Sequence, residues 1–216
     1  MGEINYSGVG LSLPKRQEHT VAIMMILEWQ DVSVDAYERV NDAMGIRSDA
    51  DAPEGLIEHV AALTEDDELV IVDLWESAEA LDRFVQTRLG PAIERLELPQ
   101  SEARIAEVHN HRAGAAGEGN VLILVEVPDA STDDYDAMAR SMPSHADDGH
   151  QPWHLHTAAT DGENVVVVDM WASEEAFGQF AQDEIVPAAQ QAGVTGIDHR
   201  ALRVHNRIRG RATVTP

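Results

Sequence analysis

The chain contains one unit twice. Val72-Asp-Leu-Trp-Glu-Ser-Ala-Glu-Ala80 recurs as Val168-Asp-Met-Trp-Ala-Ser-Glu-Glu-Ala176, at an offset of 96. At that offset Phe84 matches Phe180, Pro91 matches Pro187, and Val108-His109-Asn110 matches Val204-His205-Asn206. Upstream the offset is 98: Asp31 matches Asp129, Tyr37 matches Tyr135 and Met44 matches Met142. The second copy is therefore two residues shorter between its first helix and its second strand. A duplicated unit narrows the choice of fold more than any composition figure, because each copy must reach the same architecture.

A chain of 216 residues allows one large domain or two small ones. The repeat favours two, with these bounds: a tail 1–18, a first domain 19–112, a linker 113–119, a second domain 120–210 and a tail 211–216. The linker, Ala113-Gly-Ala-Ala-Gly-Glu-Gly119, is built of small residues and reads as flexible. Apolar residues at 44% suit a globular protein. The 39 acidic residues outweigh 15 basic ones, for a formal charge of −24, and only Lys15 among the basic residues is a lysine. So negative a chain repels phosphate backbones and anionic lipid, which argues against nucleic-acid and membrane partners. No apolar run reaches the ~18 residues of a membrane span. The N-terminus lacks a basic region followed by an apolar core, so a cytoplasmic location is expected. With no cysteine, disulfides, thiolate metal sites and Cys nucleophiles are excluded.

Each copy reads as strand, helix, strand, strand, helix, strand. Apolar runs at 21–28 and 121–127 have strand length. Asp31-Val-Ser-Val-Asp35 and Asp129-Ala-Ser-Thr-Asp133 supply caps for a first helix. Strands follow at 55–63 with 68–75 and at 153–159 with 164–171, joined by short acidic turns. Ser77 and Ser173 stand as N-caps of a second helix, which Pro91 or Pro187 should kink or interrupt. Last strands cover 103–110 and 199–207. This order is the ferredoxin-like βαββαβ pattern, an α+β fold with helices on one sheet face. The strands do not alternate with polar residues, so the other face also needs a cover. The other copy's sheet is the natural one, which predicts an intramolecular α+β barrel.

Here the chain resembles a family. Gly55-Leu-Ile-Glu-His59-Val60, Val72-Asp-Leu-Trp75-Glu-Ser77, Phe84, Leu89-Gly-Pro91 and Val108-His-Asn110, with their second-half partners, resemble the antibiotic-biosynthesis-monooxygenase type of dimeric α+β barrel, over about 21–112 and 120–208. The resemblance implies a monooxygenase-like enzyme that acts on an aromatic or polyketide-like small molecule without a tightly bound cofactor. The alternatives are a cyclase or isomerase using His or Asp as acid and base, and a non-catalytic ligand-binding or structural barrel. It also implies a monomer with a pseudo-dimeric barrel or a homodimer of it. The heme-degrading branch of that superfamily is not indicated: its Trp and His positions hold Phe84 and Glu94, or Phe180 and Gln190, and its first-strand Asn is missing.

The candidate residues follow. Trp75, Trp171 and Trp153 could line a cavity for a flat substrate, or simply fill the core. Asp73 and Asp169, in apolar strands, could act as bases or accept structural hydrogen bonds. His109 and His205 match under the repeat and are candidate general bases. His59 is a further catalytic candidate and His156 a substrate-binding one. At offset 96 His59 aligns with Leu155, so any site on that strand is expected in one half only, and the two cavities should differ there. His145, His150, His154 and His156 are spaced loosely for a metal, and no metal is assigned.

Overall fold

The computed structural model describes residues 21–99, 101, 103–114, 119–146 and 151–214. The tail 1–18, the linker centre 115–118, His19, His150 and residues 215–216 lie outside them.

The first repeat builds β1 (Ile23–Trp29), α1 (Val34–Met44), β2 (Leu56–Leu63), β3 (Leu69–Trp75), α2 (Ala78–Phe84), α3 (Gly90–Leu96) and β4 (Ala103–Ala113). The second builds β5 (Val121–Val127), α4 (Thr132–Ser141), β6 (Leu155–Thr160), β7 (Val165–Trp171), α5 (Glu174–Phe180), α6 (Val186–Ala192) and β8 (Asp198–Arg209). This is the expected βαββαβ order, twice. The strands run in the order β1-β3-β2-β8-β5-β7-β6-β4, closed into an antiparallel barrel.

Local chemistry sets the boundaries. Each principal helix starts on a serine whose hydroxyl accepts a first-turn backbone N–H: Ser33 from Ala36, Ser77 from Ala80, Ser131 from Asp134 and Ser173 from Ala176. Ser131 and Asp134 complete a reciprocal capping box. Asp31 and Asp129 do not cap. They take the left-handed conformation two residues earlier, with φ 60° and 57°, and turn the chain toward the helix. The second helix is not broken at its proline. A five-residue π turn, Val85–Leu89 or Ala181–Ile185, carries α2 into α3 and α5 into α6. There Gly90 N–H reaches back five residues to Val85 O, and Val186 N–H to Ala181 O. The wider turn precedes Pro91 and Pro187, whose missing N–H and ring would strain a regular α turn.

Two compact units form, and they are not the two repeats. Of the described residues, those up to 105 and from 205 onward form unit 1, and those between 106 and 204 form unit 2. The ends of β4 and β8 thus each belong to the unit founded on the other repeat. In unit 1, Gly210 N–H donates to Ile57 O and Ala212 N–H to Leu56 O, extending the sheet beside β2. In unit 2, the end of β4 pairs with β6, Arg112 opposite His156.

Each unit has its own core between helices and sheet. In unit 1, Trp75 is fully buried, with its ring 5.0 Å from Phe84. In unit 2, Trp171 is buried against Phe177 and Phe180, at 5.7 and 5.1 Å. An indole that removes ~150–250 Å² from water contributes roughly 4–6 kcal/mol.

Candidate functional site

β2 and β3 pair antiparallel with His59 opposite Asp73, and β6 and β7 pair with His156 opposite Asp169. This register corrects the expectation drawn from offset 96. Leu155 faces Met170, and the counterpart of His59 is His156, at offset 97. The two-residue shortening of the second repeat is divided. One residue is lost before β6, and one in the hairpin, where four residues separate paired Thr160 and Val165 against five between Leu63 and Leu69. The strand-borne site is therefore present in both units.

Its geometry is nearly the same in each. In unit 1, His59 Nδ1 lies 2.6 Å from Asp73 Oδ1, and His59 Nε2 lies 2.8 Å from the Tyr37 hydroxyl. Asn206 Nδ2 donates to that hydroxyl at 2.9 Å. In unit 2, His156 Nδ1 lies 2.6 Å from Asp169 Oδ1, His156 Nε2 lies 2.7 Å from Tyr135 Oη, and Asn110 Nδ2 donates to Tyr135 at 2.8 Å. An ionised carboxylate only accepts, so it fixes the proton on Nδ1. Nε2 is then an acceptor and takes the tyrosine O–H. The tyrosine oxygen in turn accepts from asparagine. One direction of donation satisfies every group: Asn to Tyr, Tyr to His, His to Asp. The His59 and His156 rings lie parallel or nearly so to the tyrosine rings, at 3° and 18°.

Burial tunes the tyrosines. It pushes the Tyr37 hydroxyl up to about 12, against the pull of hydrogen bonds from Asn41 and Asn206 and with a smaller push from the charges of Asp73 and Glu38. Tyr135 is raised further, again mainly by burial. Both hydroxyls stay protonated at neutral pH and can give a proton only while receiving one.

Each relay borders an apolar pocket under the helices. The unit 1 pocket is lined by Tyr37, His59, Asp73 and Trp75 among mainly apolar residues. The unit 2 pocket is lined by Tyr135, His145, His156 and Asp169, again among mainly apolar residues. Of the sequence candidates, His59, Asp73 and Trp75 thus meet in one pocket, and His156 and Asp169 in the other. Trp153 packs tilted against His156, ring centroids 4.9 Å apart, and Trp171 packs edge-on 6.4 Å from Trp153. His109 and His205 do not line the pockets. They sit edge-on to Tyr135 and Tyr37, at 5.7 and 5.9 Å, and pair with Asp136 and Glu38, both at 2.8 Å. Each packs on the tyrosine of the other repeat, as its neighbouring asparagine does.

Sequence reasoning assigned no role to Tyr37, Tyr135, Asn110 or Asn206. Their identity between the two copies was the available signal. The pockets differ, but not where expected: Asn41 and Leu56, which line the first, correspond at offsets 98 and 97 to Ala139 and Trp153, which do not line the second. His145 lines only the second pocket. Among the described residues no group of three or more His, Asp or Glu is arranged to hold a metal ion, and no helix is long and apolar enough to cross a membrane.

No family model matches the sequence, and no curated protein matches it. Solved structures do match. A protein from Fusobacterium nucleatum, named as a proposed monooxygenase, superposes with a TM-score of 0.67 at 11% identity, over 88% of this chain and 95% of that one. A protein of the same description from Lactobacillus acidophilus gives 0.64 at 12%, over 88% and 96%. An anthrone oxidase-like protein gives 0.53 at 16%, over 89% and 94%. The structural neighbours are antibiotic-biosynthesis-monooxygenase-like proteins of ferredoxin fold, and at these identities they establish the fold.

Proposed function

We propose that the chain is a proton-abstracting enzyme of monooxygenase type, acting on an aromatic or polyketide-like small molecule with an acidic C–H. The observation that carries this reading is the Asp–His–Tyr relay beside an apolar pocket, built twice. A water-poor pocket suits a flat apolar substrate, and the relay supplies the only chemistry such a substrate needs from the protein.

The substrate's C–H proton passes to the tyrosine oxygen as the tyrosine O–H proton passes to His Nε2. The imidazolium so formed is stabilised by Asp73 or Asp169 at 2.6 Å. The carbanion left on the substrate donates its electrons to dioxygen, forming a C–O bond in a peroxide. The peroxide anion takes back the proton held by the relay, and the hydroperoxide loses water to leave a carbonyl, so that R₂CH₂ and O₂ give R₂C=O and H₂O. The substrate is oxidised, dioxygen is reduced, and no bound cofactor enters the balance. Because burial keeps the tyrosine protonated, the same relay could instead return the proton to a different carbon. That is the isomerase or cyclase reading.

Anthrone with dioxygen tests the choice. The expected result is uptake of one O₂ per anthraquinone formed, lost in the Tyr37→Phe/Tyr135→Phe double variant. Rearranged product without oxygen uptake would favour the second reading. An unchanged rate in the double variant would sink the relay in both readings, and no acceleration over buffer by wild type would leave a non-catalytic barrel.

A further inference from the structure

Two polar residues that the relay does not use line the second pocket: Asp134, committed to the capping box with Ser131, and His145. His145 closes a short 3₁₀ turn, Pro143–His145, after α4, and lines the pocket with only 7% of its surface exposed. Its ring centroid lies 4.9 Å from Trp153, 5.0 Å from His156 and 6.4 Å from Tyr135. Its Nε2 is fully buried and has no hydrogen-bond partner among the described residues. A buried polar atom left unpaired is costly, so it asks for an explanation.

The neighbours decide which kind of group that atom is. Glu184, on the π turn, receives both the backbone N–H and the hydroxyl of Ser144, at 3.1 and 2.7 Å. The Ser144 proton is thereby committed to the carboxylate. The remaining contact, 3.3 Å from Ser144 Oγ to His145 Nδ1, must be donated by the ring. The proton of His145 is thus on Nδ1, and Nε2 is a bare acceptor. Arg112 holds the same turn by donating to His145 O at 2.9 Å. Burial, together with the charges of His156 and Arg112, drops the imidazole to about 3, so the ring is neutral. The first pocket has no equivalent. At offset 98 Ser144 and His145 correspond to Ile46, an apolar lining residue, and to Arg47, which is exposed and paired with Asp42.

We infer that the second pocket takes a hydroxylated aromatic molecule, a phenol or naphthol, whose O–H is donated to His145 Nε2, while the first pocket takes the unhydroxylated counterpart as readily. The inference rests on the proposed function only for the aromatic character of the ligand. His145 is here a specificity residue: it orients the ligand beside the Tyr135 relay and leaves the relay's protons to Tyr135, His156 and Asp169.

Calorimetric titration with 2-naphthol and with 2-methoxynaphthalene tests this, since the pair differ in the donor. Wild type is expected to bind 2-naphthol about tenfold more tightly at one site, the worth of one neutral hydrogen bond. His145→Phe should abolish that preference and Tyr37→Phe should retain it. In wild-type protein labelled with ¹⁵N-histidine, the His145 Nε2 resonance should move on adding 2-naphthol and stay in place with the ether. That reading needs no variant to fold. Equal affinities in wild type, a preference that survives in His145→Phe, or an unmoved resonance would each overturn the inference. Binding is read without turnover. A chain that prefers 2-naphthol through His145 yet oxidises nothing would keep this inference and lose the proposed function.

Discussion

At the scale of single residues, the site turns on which atom is obliged to donate. Asp73 and Asp169 only accept, and that fixes the histidine tautomer, then the tyrosine O–H, then the need for an amide donor from Asn206 or Asn110. Removing the tyrosine or the histidine leaves a group unpaired on each side, and removing the aspartate or the asparagine leaves one, so the relay specifies its residues more tightly than packing alone. His145 gives a pH prediction. Its folded-state value of about 3 lies below the ordinary 6.5, so the unfolded chain takes up a proton there before the folded one does. Stability must therefore fall as pH drops from about 6.5 toward 3, and this contribution is flat above and below that window. Denaturant melts across the window should show a shallower slope for His145→Phe than for wild type, by up to about 1.4 kcal/mol per pH unit. Parallel slopes would mean that the ring is already charged in the folded protein.

At the scale of elements, β2 is held to its register by a close approach at its start. Gly55 has φ +85°, and a Cβ there would lie 2.5 Å from Ala80 Cβ and 2.9 Å from Glu76 Oε1. Gly55→Ala should thus destabilise by about 1–3 kcal/mol through overpacking and left-handed strain. It should also disturb His59, four residues along the strand. A thermal melt no lower than wild type would show that the contact is easily relieved. The elements themselves were legible in the sequence, because apolar runs of strand length, serine caps and acidic turns all act locally. The π turn was not. Pro91 and Pro187 announce a disturbance, and whether a helix breaks or widens there depends on what it packs against. The pairing of His59 with Asp73 was within reach of strand parity, but the hairpin's one-residue difference hid its copy. A deletion in a turn shifts numbering without shifting which side chains face each other.

At the scale of the molecule, the two compact units do not coincide with the two repeats. Each compact unit needs the last strand of the other repeat to supply the asparagine that donates to its tyrosine. That dependence was invisible in the sequence, since the offset pairs Asn110 with Asn206 and says nothing of where either ends up. A fragment of residues 1–112 lacks Asn206 and the 205–212 segment that extends the sheet beside β2. We expect it to give no native-like monomer on size-exclusion chromatography with circular dichroism; a monomer with a cooperative melt would contradict the exchange of strand ends. The central claim, that the two relays move a substrate proton, has a more direct test. Exchange of the methylene protons of anthrone into D₂O, followed by NMR without oxygen, reads proton abstraction alone. Wild type should accelerate exchange over buffer, each of Tyr37→Phe and Tyr135→Phe should lose part of that acceleration, and the double variant should be slower than wild type by about a hundredfold or more. Exchange as fast in the double variant as in wild type would contradict the account.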